Sequence, residues 1–298
     1  MSRSIPIAAL ASFLCFTLAA QARADAPAAT PIIGVWYQPS HSFDQWKARG
    51  INTLMGYESE GNTVAMPDWK LRARNAGLNY ICQPSDDLAA DAADPNLIAW
   101  LLLPDEPDGA GNKKPEEMLA GYKALKAAAP NKPVLINFDG WQMKWKPESM
   151  YAEYLKACDW AAVDVYPFNG GQLQTIDDYT KRIDELNRAG GGGKRLLAFM
   201  ECGDQNLKAQ DWVQTVYLTE KGDLTNTKTD QPVAARMRAP TPAEMKQEID
   251  ALVAHGVTGI IYFPDKIGKG WEAFDNTTPE LEAAMIKINA DLVAPKKK

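Results

Sequence analysis

Two glutamates that follow apolar runs are the residues of this chain best placed to do chemistry. Glu106 comes shortly after the run at 101–103, and Glu201, 95 residues later, directly follows the run at 196–200. Two carboxyl groups that face each other ~5 to 5.5 Å apart can cleave a glycosidic bond with retention, one as proton donor and the other as nucleophile. The pair can do this only if both runs are strands of one closed barrel.

The elements that must position these glutamates alternate along the chain as strand and helix. Short apolar runs predict eight strands, at 33–37, 53–57, 78–82, 98–103, 134–138, 161–166, 196–200 and 259–263. Amphipathic stretches between them predict helices, at 115–129, 149–158, 176–189, 242–255 and 279–292. This alternation, over a length close to the ~250 residues of the fold, predicts an α/β protein with a single (β/α)8 TIM barrel.

A doubly wound open sheet is the alternative arrangement of the same elements. It would usually carry a glycine-rich nucleotide-binding turn after the first strand. Here that turn reads Gln38-Pro39-Ser40-His41, and the glycine run at 190–193 lies before a strand instead of after one. The barrel, with Glu106 and Glu201 on strands four and seven, is therefore the favoured interpretation.

The first 24 residues have the pattern of a secretory signal peptide. Arg3 precedes an apolar stretch, and Ala22-Arg23-Ala24 forms a small-x-small cleavage site. The barrel domain is then expected at 25–298, secreted or periplasmic, with no membrane insertion. Removal of the signal changes the formal charge from −6 to −8, and an acidic chain argues against a nucleic acid partner.

The cysteines and histidines indicate no redox or metal chemistry. The predicted mature chain keeps Cys82, Cys158 and Cys202, which the barrel places too far apart to pair, so we expect buried free thiols. The chain has two histidines, without the spacing of a metal site. We expect no metal ion and no cofactor.

Residues at the predicted strand ends give the inventory of a site, because barrel enzymes carry their chemistry on the loops that follow the strands. Here they combine aromatic rings, which can stack on sugars, with amides and carboxylates, which can bind hydroxyls. The predicted substrate-binding residues are Trp36, Tyr57, Asp105, Asn137, Trp141, Asp164, Tyr166, Tyr262 and Trp271. The composition predicts an oligosaccharide or polysaccharide as the partner.

A family resemblance is carried by the segment 100–108, Trp-Leu-Leu-Leu-Pro-Asp-Glu-Pro-Asp. It resembles the strand-four acid/base segment of clan A retaining glycoside hydrolases, in a variant with Asp-Glu-Pro. The ending at 278–281 and 288–289 resembles the last helix of several poorly described bacterial members. The resemblance covers the mature chain in architecture, but only the strand-four segment is specific in sequence.

The resemblance implies a role for each glutamate. Glu106 matches the general acid/base and Glu201 the nucleophile, while Tyr166 is similar in place to aromatic residues that border the nucleophile. Two features depart from the family pattern. Asp105 stands where many members have Asn, and no arginine lies near the end of the second predicted strand.

Two functions from different classes follow. The first is a retaining glycoside hydrolase that cleaves a β-linked glycan with Glu106 and Glu201. The second is a catalytically silent barrel that binds a glycan or another small ligand in the same mouth. An open cleft with both carboxylates in it favours the enzyme, and a carboxylate that is turned away or blocked favours binding alone.

Overall fold

The computed structural model of the protein describes residues 31–56, 64–190, 192–210, 233–268 and 273–294. In these residues eight parallel strands form a closed barrel, in which each strand pairs with the next and the last pairs with the first. This confirms the predicted (β/α)8 barrel. The strands are β1 (Ile32–Trp36), β2 (Thr53–Gly56), β3 (Asn79–Cys82), β4 (Leu97–Leu101), β5 (Val134–Asp139), β6 (Trp160–Asp164), β7 (Arg195–Glu201) and β8 (Gly259–Phe263).

The predicted strand bounds lie within two residues of these, and the largest differences are at two C-terminal ends. β4 ends at Leu101 and β6 ends at Asp164, each two residues earlier than predicted. Pro104 and Pro167 follow these ends within three residues. A proline has no amide hydrogen with which to continue pairing, so the chain leaves the sheet before it.

The helices pack around the barrel and begin at the signals that the sequence carries. Pro115, Pro242 and Pro279 each lie in the first turn of a helix, where the missing amide hydrogen breaks no helical bond. The helices of the described residues are α1 (Phe43–Ala48), α2 (Met66–Asn75), α3 (Leu88–Ala93), α4 (Pro115–Ala128), α5 (Gly140–Met143), α6 (Glu148–Tyr154), α7 (Ile176–Ala189), α8 (Val233–Arg236), α9 (Pro242–Ala254) and α10 (Pro279–Val293). Over these ranges, no helix is both long and apolar enough to cross a bilayer.

Alternation along each strand separates an inner from an outer layer of side chains. In β7, Leu197 and Phe199 belong to the cluster that fills the barrel, whereas Ala198 and Met200 belong to the cluster between strands and helices. Because side chains fill the interior, a ligand has room only above it. The C-terminal strand ends and the loops that follow them border that space.

Candidate active site

A cavity of about 660 Å³ lies at the C-terminal end of the barrel. One wall is acidic, the base is aromatic, and the remaining wall is apolar with two amides. None of the described residues that line it is Arg, Lys or His. The carboxyl groups are Asp105, Glu106, Asp139 and Asp164; the aromatic rings are Trp36, Trp141, Tyr166, Phe199 and Phe263; the remaining wall includes Leu173, Gln174, Gln205, Leu207, Met237 and Ile267.

Asn137 joins the members of the acidic wall. Its amide nitrogen donates to Asp105 Oδ1 at 3.2 Å and to Asp164 Oδ2 at 3.4 Å. The carboxyl group of Glu106 hydrogen-bonds that of Asp164. The amide oxygen of Asn137 is buried and has no hydrogen-bond partner among the described residues. Because a buried acceptor without a partner is costly, this oxygen points to a hydrogen-bond donor on a ligand.

The acidic wall favours protonated carboxyl groups. Burial, and then the negative charge of Asp164, raises the pKa of Glu106 well above its ordinary value. Burial likewise raises the pKa of Asp164, and it raises the pKa of Asp105 to about 6. Two carboxyl groups in contact resist being ionised together, so Glu106 and Asp164 retain a shared proton at neutral pH. This is the property that a general acid needs.

The loop after β4 holds Glu106 in an uncommon backbone conformation. The φ angle of Glu106 is 47°, in the left-handed region that a side chain with a Cβ rarely adopts. Its carbonyl oxygen accepts hydrogen bonds from the N–H groups of Gly109 and Gly111, at 2.8 and 2.9 Å. A Cβ on Gly111 would lie 2.4 Å from the carbonyl oxygen of Asp105. The loop is closed tightly around the residue that aims its carboxyl group into the cavity, and strain of this kind is frequent at functional sites.

Asp108 ties this loop to the neighbouring strand, and the sequence analysis did not single it out. It is 1% exposed, and its oxygens accept hydrogen bonds from the N–H of Asp139 at 3.0 Å and from the hydroxyl of Tyr151 at 2.8 Å. Burial raises its pKa to about 7. Its position in the same acidic segment as Glu106 was the signal available, but nothing in the sequence connects it to Tyr151.

Glu201 does not reach the cavity, contrary to the expectation that it faces Glu106 across the mouth. Its side chain is fully buried. Its oxygens accept hydrogen bonds from the N–H groups of Phe168 and Asn169, at 2.7 and 2.8 Å, and from the Asn169 amide at 2.7 Å. The loop between β6 and α7 therefore covers this carboxyl group, and the side chain is absent from the cavity lining.

Tyr262 was wrongly predicted to bind substrate. It is fully buried in the cluster between strands and helices, and its hydroxyl donates to Asn289 Oδ1 on α10 at 2.9 Å. The next residue, Phe263, faces the other side of β8 and lines the cavity in its place. One step along a strand exchanges the two faces, which is why adjacent aromatic residues have opposite environments here.

The structure brings most of the other predicted binding residues to the cavity. Trp36, Trp141 and Tyr166 line it together with the carboxylates and Asn137. The rings of Trp36 and Phe199 lie 5.5 Å apart in an edge arrangement, and those of Tyr166 and Phe263 are also 5.5 Å apart. Two predicted members, Tyr57 and Trp271, lie outside the described residues, as does the predicted signal peptide at 1–24.

Gln205 is a further cavity residue that the sequence analysis missed. It is fully buried, and both the oxygen and the nitrogen of its side-chain amide are without a partner in the described part of the chain. Its backbone is fixed, because its N–H donates to Asn169 Oδ1 at 2.7 Å and its carbonyl accepts from Ile267 N at 3.0 Å. An amide held in this way can bind two hydroxyl groups of a ligand, one as acceptor and one as donor.

The three cysteines of the described residues are buried free thiols. Cys82, Cys158 and Cys202 are buried and unpaired, as predicted. Burial raises the pKa of the Cys202 thiol, so this sulfur is not an activated nucleophile. Among the described residues, no group of three His, Cys, Asp or Glu side chains is arranged to hold a metal ion.

Comparison with known proteins defines the fold. No family model matches the sequence, and no curated protein matches it. A β-galactosidase from the Antarctic haloarchaeon Halorubrum lacusprofundi superposes with a TM-score of 0.62 at 11% identity, over 89% of this chain and 58% of its own. A β-galactosidase from the psychrophilic Marinomonas ef1 gives a TM-score of 0.55 at 12% identity, over 87% of this chain and 59% of its own.

The chain thus spans less than two thirds of the length of either β-galactosidase. At such low identity the similarity establishes architecture. The protein has the closed parallel barrel on which these glycosidases are built, and arguments about its activity depend on its own cavity.

Proposed function

We propose that the protein is an exported glycoside hydrolase that cleaves a β-linked glycan with net retention, using Glu106 as general acid and then as general base. The observation that carries the proposal is the position of Glu106. Its carboxyl group lies in a cavity at the end of β4, in contact with Asp164. Burial and that neighbouring charge raise its pKa, which keeps a proton available for the departing oxygen at neutral pH.

The rest of the cavity supports a sugar as the ligand. Trp36, Trp141 and Tyr166 offer ring faces, and the free amide atoms of Asn137 and Gln205 offer hydrogen bonds for hydroxyl groups. The lining described has no cationic side chain, which disfavours a phosphorylated or carboxylated ligand. The two similar β-galactosidases carry activities of the same class on the same architecture.

The two-glutamate form of the mechanism assigns the attack on the anomeric carbon to Glu201. This requires Glu201 to exchange its three hydrogen bonds with Phe168 and Asn169 for a position in the cavity. The loop between β6 and α7 has to move away for the exchange. Glu106, deprotonated after the first step, then takes a proton from the water that releases the sugar.

Glycan binding without catalysis is the second candidate function. The observation in its favour is the burial of Glu201 beneath the loop, because a barrel that never exposes this carboxylate lacks the enzyme nucleophile. In that case the cavity binds the glycan through its aromatic rings and amides, and Glu106 acts as a hydrogen-bonding group.

The test is a screen of the mature protein against polysaccharides and aryl β-glycosides, with Glu106→Gln and the exposed control Glu280→Gln in parallel. We expect turnover by the wild type and the control. Glu106→Gln should lose at least ~100-fold in rate on natural glycans, and less on aryl glycosides, whose leaving groups need little protonation. NMR of the first product should show the β anomer.

Binding of a glycan without turnover by the wild type would instead favour the second candidate. Export is tested separately, by the mass of the protein recovered from the periplasm or medium. Cleavage after Ala24 gives a mature chain that begins at Asp25.

A further inference from the structure

The carboxyl groups of the cavity and of β7 are poorly placed to attack the anomeric carbon of a bound sugar. Glu201 is covered by its loop. Asp164 is in hydrogen-bond contact with Glu106, which is too close for a pair that must lie ~5 to 5.5 Å apart on opposite sides of the bond. Asp139 caps α5, since its Oδ1 accepts from the N–H groups of Trp141 and Gln142 at 2.8 and 3.2 Å. Asp105 directly precedes the proton donor Glu106 and is held by the Asn137 amide. An attacking group supplied by the substrate itself is the alternative to these carboxyl groups.

Two acceptors stand side by side next to the proton donor. The Asn137 amide nitrogen donates to Asp105 Oδ1 at 3.2 Å, which fixes the carboxyl group of Asp105 beside that amide. The Asn137 oxygen is buried without a partner among the described residues. An N–H group on the ligand is a donor that both can accept. A cation that develops beside this N–H would be stabilised by the carboxylate, in a cavity whose described lining holds no competing positive side chain.

The base of the cavity suits a small apolar group. It is formed by Trp36, Phe199 and Phe263, which belong to the cluster that fills the barrel, and by Tyr166, which packs against that cluster. A sugar hydroxyl gains little from such a surface, whereas a methyl group is transferred favourably from water onto it. An N–H next to carboxylates and a methyl group on aromatic rings together describe an acetamido group.

We propose that the substrate is a β-linked N-acetylhexosaminide and that its own acetamido oxygen, in place of Glu201, attacks the anomeric carbon. This rests on the proposed glycosidase function and names its substrate class. Glu106 is the proton donor, and Asp105, assisted by Asn137 Oδ1, accepts the acetamido N–H. Asp164 is a positioning residue that hydrogen-bonds Glu106.

In the first step the acetamido oxygen forms a bond to the anomeric carbon while the bond to the leaving oxygen breaks. That oxygen takes the proton of Glu106. The product is a five-membered oxazolinium ring, whose positive charge and N–H face Asp105. In the second step a water oxygen bonds to the anomeric carbon, its proton passes to the Glu106 carboxylate, and the bond to the acetamido oxygen breaks. One water is consumed, and two inversions give retention.

The first experiment compares matched aryl glycosides on the wild-type protein. The series pairs β-glucoside with β-N-acetylglucosaminide and β-galactoside with β-N-acetylgalactosaminide. It then replaces the acetyl group by fluoroacetyl, difluoroacetyl and trifluoroacetyl. Fluorine withdraws electrons from the carbonyl oxygen, so kcat/KM should fall with each fluorine, by at least ~100-fold over the series. A flat dependence, or faster turnover of the sugars without nitrogen, overturns the proposal.

The second experiment measures binding instead of turnover. N-acetylglucosamine-thiazoline and its galacto isomer mimic the oxazolinium ring. By calorimetry, the isomer that matches the substrate should bind at least ~100-fold more tightly than the parent N-acetyl sugar. Asp105→Asn should remove most of this advantage while the melting temperature stays close to that of the wild type. The exposed control Asp44→Asn on α1 should keep it. Equal affinity for thiazoline and parent sugar overturns the proposal.

The outcomes separate this inference from the proposed function. Retaining hydrolysis of plain glucosides or galactosides, insensitive to an acetamido group, overturns the inference and leaves the glycosidase in place. No turnover of any glycoside, with no thiazoline binding, overturns the proposed hydrolase itself.

Discussion

Asp108→Asn should remove a pH dependence that this buried carboxyl group imposes on folding. Asp108 is 1% exposed, and burial raises its pKa to about 7, against ~3.9 in an unfolded chain. Near neutral pH the folded state therefore binds a proton that the unfolded state lacks. The resulting stabilisation is present at low pH and is lost as the pH rises through the folded pKa.

The size of the effect follows from that interval. From pH 5 up to the folded pKa of about 7, the free energy of unfolding of the wild type falls with pH, because only the folded state holds the proton. Above that pKa the group is ionised in both states and the fall ends, so the interval that counts between pH 5 and pH 8 is about two pH units. At about 1.4 kcal/mol per unit this is about 3 kcal/mol. The Asn variant has no carboxyl group to titrate. Its amide oxygen can accept from the Asp139 N–H, and its amide nitrogen can donate to the Tyr151 hydroxyl, so the loop retains both connections.

The assay is urea denaturation of the wild type, Asp108→Asn and the exposed control Asp44→Asn at pH 5, 6, 7 and 8. Because other buried carboxylates add slopes of the same sign, the informative quantity is the free energy of unfolding of the wild type minus that of the variant. For Asp108→Asn this difference should fall by about 3 kcal/mol from pH 5 to pH 8. For the control it should stay constant. A change below ~0.5 kcal/mol for Asp108→Asn refutes the reasoning.

Four further substitutions each test a single position. Gly111→Ala should lower kcat at least ~10-fold, because its methyl group would overlap the backbone beside Glu106. The control Gly193→Ala should keep the wild-type rate, because its methyl group meets only a carbonyl oxygen 4.0 Å away. Equal rates for the two variants contradict the inference that the tight loop after β4 positions Glu106. Burial raises the pKa of Glu201 to about 7, so the comparison is made at pH 8. There Glu201→Gln replaces one carboxylate oxygen that accepts hydrogen bonds by an amide nitrogen that cannot, and it should lower the free energy of unfolding in urea by roughly 1.5–3 kcal/mol; unchanged stability means that the three hydrogen bonds of Glu201 do not form. Tyr262→Phe should cost about 1 kcal/mol of stability without affecting glycan affinity. Trp141→Ala should weaken glycan affinity with little change in melting temperature. The reverse pattern would refute the assignment of Tyr262 to the core and of Trp141 to the cavity.

The barrel and one wall of its cavity were predictable because they depend on local patterns. Glu106, Asn137 and Asp164 lie at or just after strand ends, so the strand assignments alone bring them to one mouth. β8 is apolar throughout, from Gly259 to Phe263, and such a run does not show which alternate residues face inward. That is why Tyr262 was placed on the wrong side.

The environment of Glu201 could not be predicted in the same way. Its strand position was correct, but its hydrogen bonds come from backbone groups 32 and 33 residues away. Their directions depend on the path of a loop that no periodic pattern describes. Gln205 was missed for a related reason, since its orientation depends on Asn169 and Ile267, which are distant in sequence and belong to two other loops.

The two walls of the cavity come from different parts of the chain. The acidic wall is built by the loop after β4 and by β5 and β6, within residues 105–164. The apolar wall with Gln205 is built by later segments, including Leu207, Met237 and Ile267. Substitutions in these later segments can reshape the outer part of the cavity without changing the spacing of the carboxyl groups. The barrel thus separates the evolution of ligand selectivity from that of proton transfer, and libraries confined to 205–210, 233–238 and 264–268 would explore new ligands on an unaltered acid centre.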